Sequence, residues 1–209
     1  MPLLRPAHLL LRVGVLEAAL CQGGTMRPSK PRILPLEEKD WNDEQRQLLA
    51  PMAQQGRVPN LFKTLVRHPK LLKRWLPFAN HILFKSSLGA REREMVILRV
   101  SWLTRAEYEW GHHQVIGERA GLTEAEIVRI AAGPDAPGWT RHEAALLRAA
   151  DELLRSSRMT SGTWTTLAEQ YDTAQLMDVV FTIGNYSALA MALNTLGVAL
   201  DAGLKGFPG

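Results

Sequence analysis

Residues 87–121, Ser87-Leu-Gly-Ala-Arg-Glu-Arg-Glu-Met-Val-Ile-Leu-Arg-Val-Ser-Trp-Leu-Thr-Arg-Ala-Glu-Tyr-Glu-Trp-Gly-His-His-Gln-Val-Ile-Gly-Glu-Arg-Ala-Gly121, are the stretch in which buried-type periodicity and ionisable side chains fall on one face. Met95, Leu98 and Trp102 recur at three- and four-residue intervals, and Val96, Ile97, Val100 and Leu103 fill the gaps. The first half therefore predicts a core helix, apolar nearly all round. Thr104 stands three residues before Glu107, the spacing of a capping box, and predicts a second helix from about Arg105 to a glycine stop at Gly121. On that helix Ala106, Glu109, Trp110, His113 and Gly117 share one stripe, which brings Glu109 and His113 within reach of each other. Glu94, near the start of the first helix, joins them if the two helices pack as a hairpin.

Outward from this hairpin the chain reads as helices throughout. Prolines 28, 31 and 35 make residues 27–36 an extended arm, with a partner subunit as a surface for it to wrap. Asp40 or Asn42 caps a helix to about Ala53, a short helix follows Val58-Pro-Asn, and Leu71 to Phe84 forms another, with Pro77 expected to kink it. Capping boxes at Thr123/Glu126 and Thr140/Glu143, a cap at Thr160 or Ser161, and Asp172/Gln175 open four more. The last is expected to run to Ala202, with Gly184 and Gly197 inside it allowing close helix crossing or a bend. No strand-like alternation with turn chemistry interrupts the series, so the fold class is all-α.

Composition gives a single globular domain: 209 residues, 46% hydrophobic and 22% charged. The net charge of +4 lies entirely in residues 1–32, which hold five Lys or Arg and one Glu. The rest carries 20 of each sign, so no basic face is available for nucleic acid. Residues 1–35 read as a basic leader or arm, with Met26 an alternative start, and 36–205 as the domain. Cys21, the single cysteine, sits in that leader, so the domain has no disulfide or thiol site. Arg12 and Glu17 interrupt any signal-peptide core and no run is expected to reach membrane-span length, which points to a cytoplasmic protein without a membrane partner. The last helix is too apolar for a small monomer, so a homo-oligomer is expected.

The run from Glu94 to Ile127 resembles the carboxymuconolactone decarboxylase and alkylhydroperoxidase D family. That family's core pattern is a Glu, a Cys-x-x-Cys beginning twelve residues on, and a His four residues after the second Cys. Counted from Glu94, these positions are Ala106, Glu109 and His113, so both cysteines are replaced. The flanking Glu107-Tyr-Glu-Trp-Gly-His-His and Arg119-Ala-Gly-Leu-Thr-Glu-Ala-Glu-Ile127 are similar to the carboxymuconolactone decarboxylase-like branch, and the similarity extends over 58–201. It implies a helical alkylhydroperoxidase D-like fold in ring-like trimers or hexamers.

The bland reading of Glu109 and His113 is a surface pair worth about 0.2–0.5 kcal/mol. Trp110, Val115 and Ile116 argue against it, because a carboxylate or imidazole on a largely buried helix must be paired or used. The catalytic set is therefore His113, Glu109 and Glu94, with Glu109 orienting the imidazole and His113 moving the proton. Trp110 is the expected substrate-binding wall. His112 points about 100° away and is set aside, and Arg91 and Arg93 are expected in solvent, available to a substrate carboxylate. Two carboxylates and one imidazole also suit a metal, but no second histidine joins them, so the expectation is no metal and no cofactor. Without thiols a dithiol peroxidase is excluded. What fits is a lyase-type enzyme working by proton transfer on a small molecule, a carboxylated lactone or keto acid. The rival is a non-catalytic oligomeric ligand-binding or scaffold protein on the same fold.

Overall fold

The computed structural model describes residue 28 and residues 30–208; Cys21 and the first 27 residues of the leader read from the sequence lie outside them. Among the described residues there are helices and no strands: α1 (Asp43–Ala53), α2 (Asn60–Leu65), α3 (Pro69–Phe84), α4 (Ala90–Leu103), α5 (Glu107–Arg119), α6 (Glu124–Ala132), α7 (Arg141–Ser156), α8 (Ser161–Ala168) and α9 (Thr173–Leu196). Helix α4 is the hub, packing against α5, α6, α7 and α9. Every residue from Glu94 to Ser101 is buried, as its all-round apolarity requires. Val96, Ile97 and Val100 meet Leu146, Ala149 and Ala150 of α7 and Val179 and Ile183 of α9. Met95 and Leu98, on the opposite side, meet Trp110, Ile127, Ile130 and Leu147. Each such aliphatic side chain contributes about 1.5–3 kcal/mol by leaving water.

Capping fixes where the helices begin. Asn42/Gln45, Thr123/Glu126, Thr140/Glu143 and Asp172/Gln175 form reciprocal boxes, and Thr160 caps α8. The box expected at Thr104 and Glu107 does not form. Instead the Thr104 hydroxyl donates back to the Val100 carbonyl at 2.7 Å, Arg105 takes a left-handed φ of 55°, and the Ala106 amide reaches the Ser101 carbonyl at 2.9 Å. A left-handed helix end therefore makes the break, and α5 starts at Glu107. The Asn194 side chain of α9 holds the exposed Thr104 carbonyl at 2.8 Å.

The end of α9 also differs from expectation. Gly197 terminates the helix with φ 71° rather than lying inside it, and the backbone at Pro31 passes so close that a Cβ there would sit 3.1 Å away. The amide of Arg32 donates to the Leu196 carbonyl, so the extended arm lies along its own chain. Gly184 faces open space, and among the described residues no helix crosses there. Pro77 lies within an unbroken α3. Contrary to the expectation, α9 is long and apolar enough to cross a membrane by length and composition. Its apolarity follows from its place against α4 and α7, together with an outward row of Met177, Phe181 and Met191.

Candidate active site

A cavity of about 430 Å³ opens between α1, α3, α5 and α9. Three of these elements bring chemistry to it: α5 supplies Tyr108, Glu109, His112 and His113, α9 supplies Asn185 and Tyr186, and α3 supplies Trp75. Close approach of α4 and α5 depends on Gly117, where a Cβ would meet Leu122 at 3.0 Å, Leu98 at 3.4 Å and the Glu94 Cβ at 3.7 Å. That approach seats His113 over Glu94.

His113 Nδ1 lies 2.6 Å from Glu94 Oε2, and both side chains are buried. The other Glu94 oxygen accepts from Arg93 Nε at 3.2 Å. A Glu94 carboxylate in this position accepts from Nδ1–H of the imidazole, and in that tautomer Nε2 is the basic nitrogen. The ring of Tyr186 stands edge-on to His113, with centroids 4.9 Å apart, and holds it in plane.

Glu109 is 2% exposed and neither of its oxygens has a hydrogen-bond partner. Burial pushes its carboxyl well above the usual range, opposed only by the nearby Ser101 hydroxyl, whose own proton goes to the Ile97 carbonyl at 2.8 Å. Burial thus favours the protonated form of Glu109, a carboxyl in an apolar setting. Burial, then the neighbouring Glu94 and Glu109, push the Tyr186 phenol well up, so it too keeps its proton.

A second network borders the cavity. Asp201 Oδ2 accepts from the Tyr108 hydroxyl at 2.6 Å and lies 2.9 Å from His112 Nε2, while Oδ1 accepts from Arg57 at 3.2 Å. Burial pushes Asp201 up, but the bonds from His112, Tyr108 and the Asn60 amide outweigh it and hold the carboxylate below its ordinary range. The Tyr108 hydroxyl in turn accepts from the Leu61 amide at 3.0 Å, tying α2 to α5.

Glu94, Glu109 and His113 are thus brought together, with two changes in their relations. The imidazole is held by Glu94 and not by Glu109, because α4 offers its carboxylate directly to Nδ1. Trp110 does not line the cavity: it is fully buried on the other side of α5, against Trp102 and Phe207. Arg91 and Arg93 are not free in solvent either, since Arg91 bridges Glu126 and Glu143 and Arg93 binds Glu94. Among the described residues no three His, Cys, Asp or Glu side chains are grouped to hold a metal ion. Sequence reasoning set His112 aside and missed Asp201, Asn185 and Tyr186. The available signal was the pair Asn185-Tyr186 in the middle of a largely apolar helix.

Residues 69–152 match the model of the Carboxymuconolactone decarboxylase family. No curated relative matches the chain. Solved structures similar to it include an uncharacterized peroxidase-related protein with an alkylhydroperoxidase AhpD core from Ralstonia eutropha JMP134, at 20% identity and TM-score 0.72, covering 82% of this chain and 93% of that one. An uncharacterized peroxidase-related protein from Silicibacter sp. TM1040 is similar at 16% identity and TM-score 0.71, over 86% and 96% of the two chains. The debrominase Bmp8, as a cysteine-to-alanine variant in complex with 2,3,4-tribromopyrrole, is similar at 16% identity and TM-score 0.70, over 83% and 94%. At these identities the likeness concerns the fold.

Proposed function

We propose that this chain, which carries the Carboxymuconolactone decarboxylase family segment over residues 69–152, is an enzyme that moves protons on a small carbonyl compound. The observation that supports this reading is a base and an acid on one apolar cavity. His113 is fixed by Glu94 at 2.6 Å, and Glu109 is a buried carboxyl without a partner. His113 Nε2 takes a proton, or returns it, at the reacting carbon. A donor on the cavity wall meets the oxygen on which negative charge develops, with the Glu109 carboxyl sealed behind that wall. In the decarboxylation of a substrate acid the same parts serve: its carboxyl proton passes to His113 Nε2, the carbon–carbon bond breaks, carbon dioxide leaves, the bond's electrons pass into the enolate, and the imidazolium returns the proton to carbon. Two-cysteine peroxide chemistry has no place here, because Ala106 and Glu109 stand where the dithiol of the family would be.

The test is a screen of lactones and keto acids for carbon dioxide release, ring opening and α-proton exchange in heavy water, comparing wild type with His113→Ala. Turnover that survives unchanged in the variant would sink the assignment. A second copy of the chain is proposed to cover the outer face of α9, where Met177, Phe181, Gly184, Ala188 and Met191 are exposed at alternating four- and three-residue spacings.

A further inference from the structure

We infer that the cavity takes an uncharged, largely apolar carbonyl compound, and that Asn185 is the substrate-binding residue that receives its carbonyl oxygen. The inference rests on the acid–base reading above and names its substrate class.

Asn185 is 7% exposed, in the middle of α9 and on the cavity wall. A buried primary amide must place one acceptor and two donors. Its Oδ1 accepts from the indole nitrogen of Trp75 at 3.0 Å. An indole only donates, so this bond decides which end of the amide is oxygen and turns the NH₂ the other way. Among the described residues no acceptor takes that NH₂, and it is not sealed in the core. Trp75 on α3 and Asn185 on α9 therefore form a cross-helix latch that aims two donors into the cavity holding Glu109 and His113. Donors held in place before a charge develops stabilise an oxyanion more than mobile ones do.

The charges of the wall argue for a neutral ligand. Arg57 is committed to Asp201 and to the Ala202 carbonyl, Asp201 also to His112 and Tyr108, and Glu109 is a neutral acid. The remaining wall is mostly apolar, with Met52, Phe62, Leu76, Leu83 and Leu189 prominent. A carboxylate entering it loses its hydration and, among the described residues of the wall, meets no cation without a partner already, a cost that a neutral ketone or lactone avoids. About 430 Å³ accommodates a bicyclic molecule. For such a ligand the step is enolisation. The α-carbon–hydrogen bond breaks, its proton goes to His113 Nε2, its electron pair moves through the new double bond to the carbonyl oxygen, and Asn185 donates hydrogen bonds to that oxygen. Return of the proton to carbon completes the cycle without any oxidant or reductant.

The experiment uses the full chain with two matched probes, coumarin and coumarin-3-carboxylate, titrated by fluorescence at neutral pH, and follows the coumarin carbonyl stretch by infrared spectroscopy. Coumarin should bind at least about tenfold more tightly than its carboxylate. Its carbonyl band should fall in frequency on binding, and lose part of that fall in both Asn185→Leu and Trp75→Phe. Trp75→Phe keeps the amide and removes only its latch, so the test survives if the leucine variant fails to fold. Equal or tighter binding of the carboxylate, no coumarin binding, or a carbonyl band unmoved in either folded variant would overturn the inference. A chain that binds coumarin in this way yet exchanges no α-proton of 2-tetralone, a neutral bicyclic ketone that can enolise, leaves the inference standing and sinks the acid–base reading alone.

Discussion

Glu109 is a buried carboxyl on α5, and its surroundings decide what it can do there. With both oxygens unpartnered, ionising it inside the fold costs far more than in water. The consequence for stability has a definite sign. The folded pKa is raised, so the unfolded chain gives up this proton as pH passes about 4.3 while the folded chain keeps it. The group's contribution is therefore fully present below that pH and is lost as pH rises toward the folded value. Glu109→Gln should melt near the wild-type temperature at pH 4 and above it at pH 8, measured by thermal denaturation. The same difference at both pH values would refute a neutral buried acid. For His113→Ala and Glu94→Gln the expected outcome is at least about a hundredfold loss of whatever proton-transfer turnover the screen finds, the usual contribution of a positioned base.

Helix starts carry most of the local information in this chain. Reciprocal capping boxes place α1, α6, α7 and α9, and two of their glutamates serve twice, because Arg91 of α4 bridges Glu126 and Glu143. The amide of Thr123, then its hydroxyl and Arg91, hold Glu126 below its ordinary range against burial. Burial raises Glu143, but the Thr140 amide and Arg91 outweigh it. Carboxyls lowered in the fold stabilise above their unfolded pKa and lose that contribution as pH falls through the folded one. Arg91→Met should thus lower the melting temperature at neutral and alkaline pH and leave it nearly unchanged in strong acid, where the wild type has already lost the contribution, followed by circular dichroism. Asp172→Ala, which removes only the α9 box, should cost about 1 kcal/mol, or about 2–4 °C in melting temperature for a chain of this size.

Across the whole molecule, the unexplained apolar surface concentrates on α3 and α9. Met177, Phe181 and Met191 are 54%, 50% and 68% exposed, and Phe78 of α3 leans edge-on against Phe181 at 6.1 Å. The outward row of α9 has small residues, Gly184 and Ala188, between these bulky ones. In an antiparallel pair of α9 helices this sets Phe181 of one copy near Met191 of the other across a close-approach centre. Phe181→Glu should lower the molar mass read by light scattering after size-exclusion chromatography while leaving helicity intact. An unchanged mass, or a wild type that is already monomeric, would remove this face as an interface.

The all-α class, the burial of α4 and most of the capping boxes were legible because they depend on local spacing: 3.6-residue periodicity and four-residue capping signatures are written within one element. The same locality explains the errors. Thr104 and Glu107 had the spacing of a box, yet the backbone turned left-handed at Arg105 and was held there by Asn194, ninety residues away in sequence. Glu109 and His113 were close along one helix, yet the imidazole went to Glu94, because packing at Gly117 brought α4 nearer than the helix's own next turn. Trp110 and His112 exchanged sides of significance once α5 was seated, one sealed in the core and the other set on the cavity wall. The sequence by itself determined which residues must leave water and where helices begin, since both follow from side-chain chemistry and short-range hydrogen bonding. Only the tertiary structure decided which carboxyl orients the histidine, which one stays protonated, and which way the Asn185 amide points, because each depends on distances and desolvation set by elements far apart in the chain.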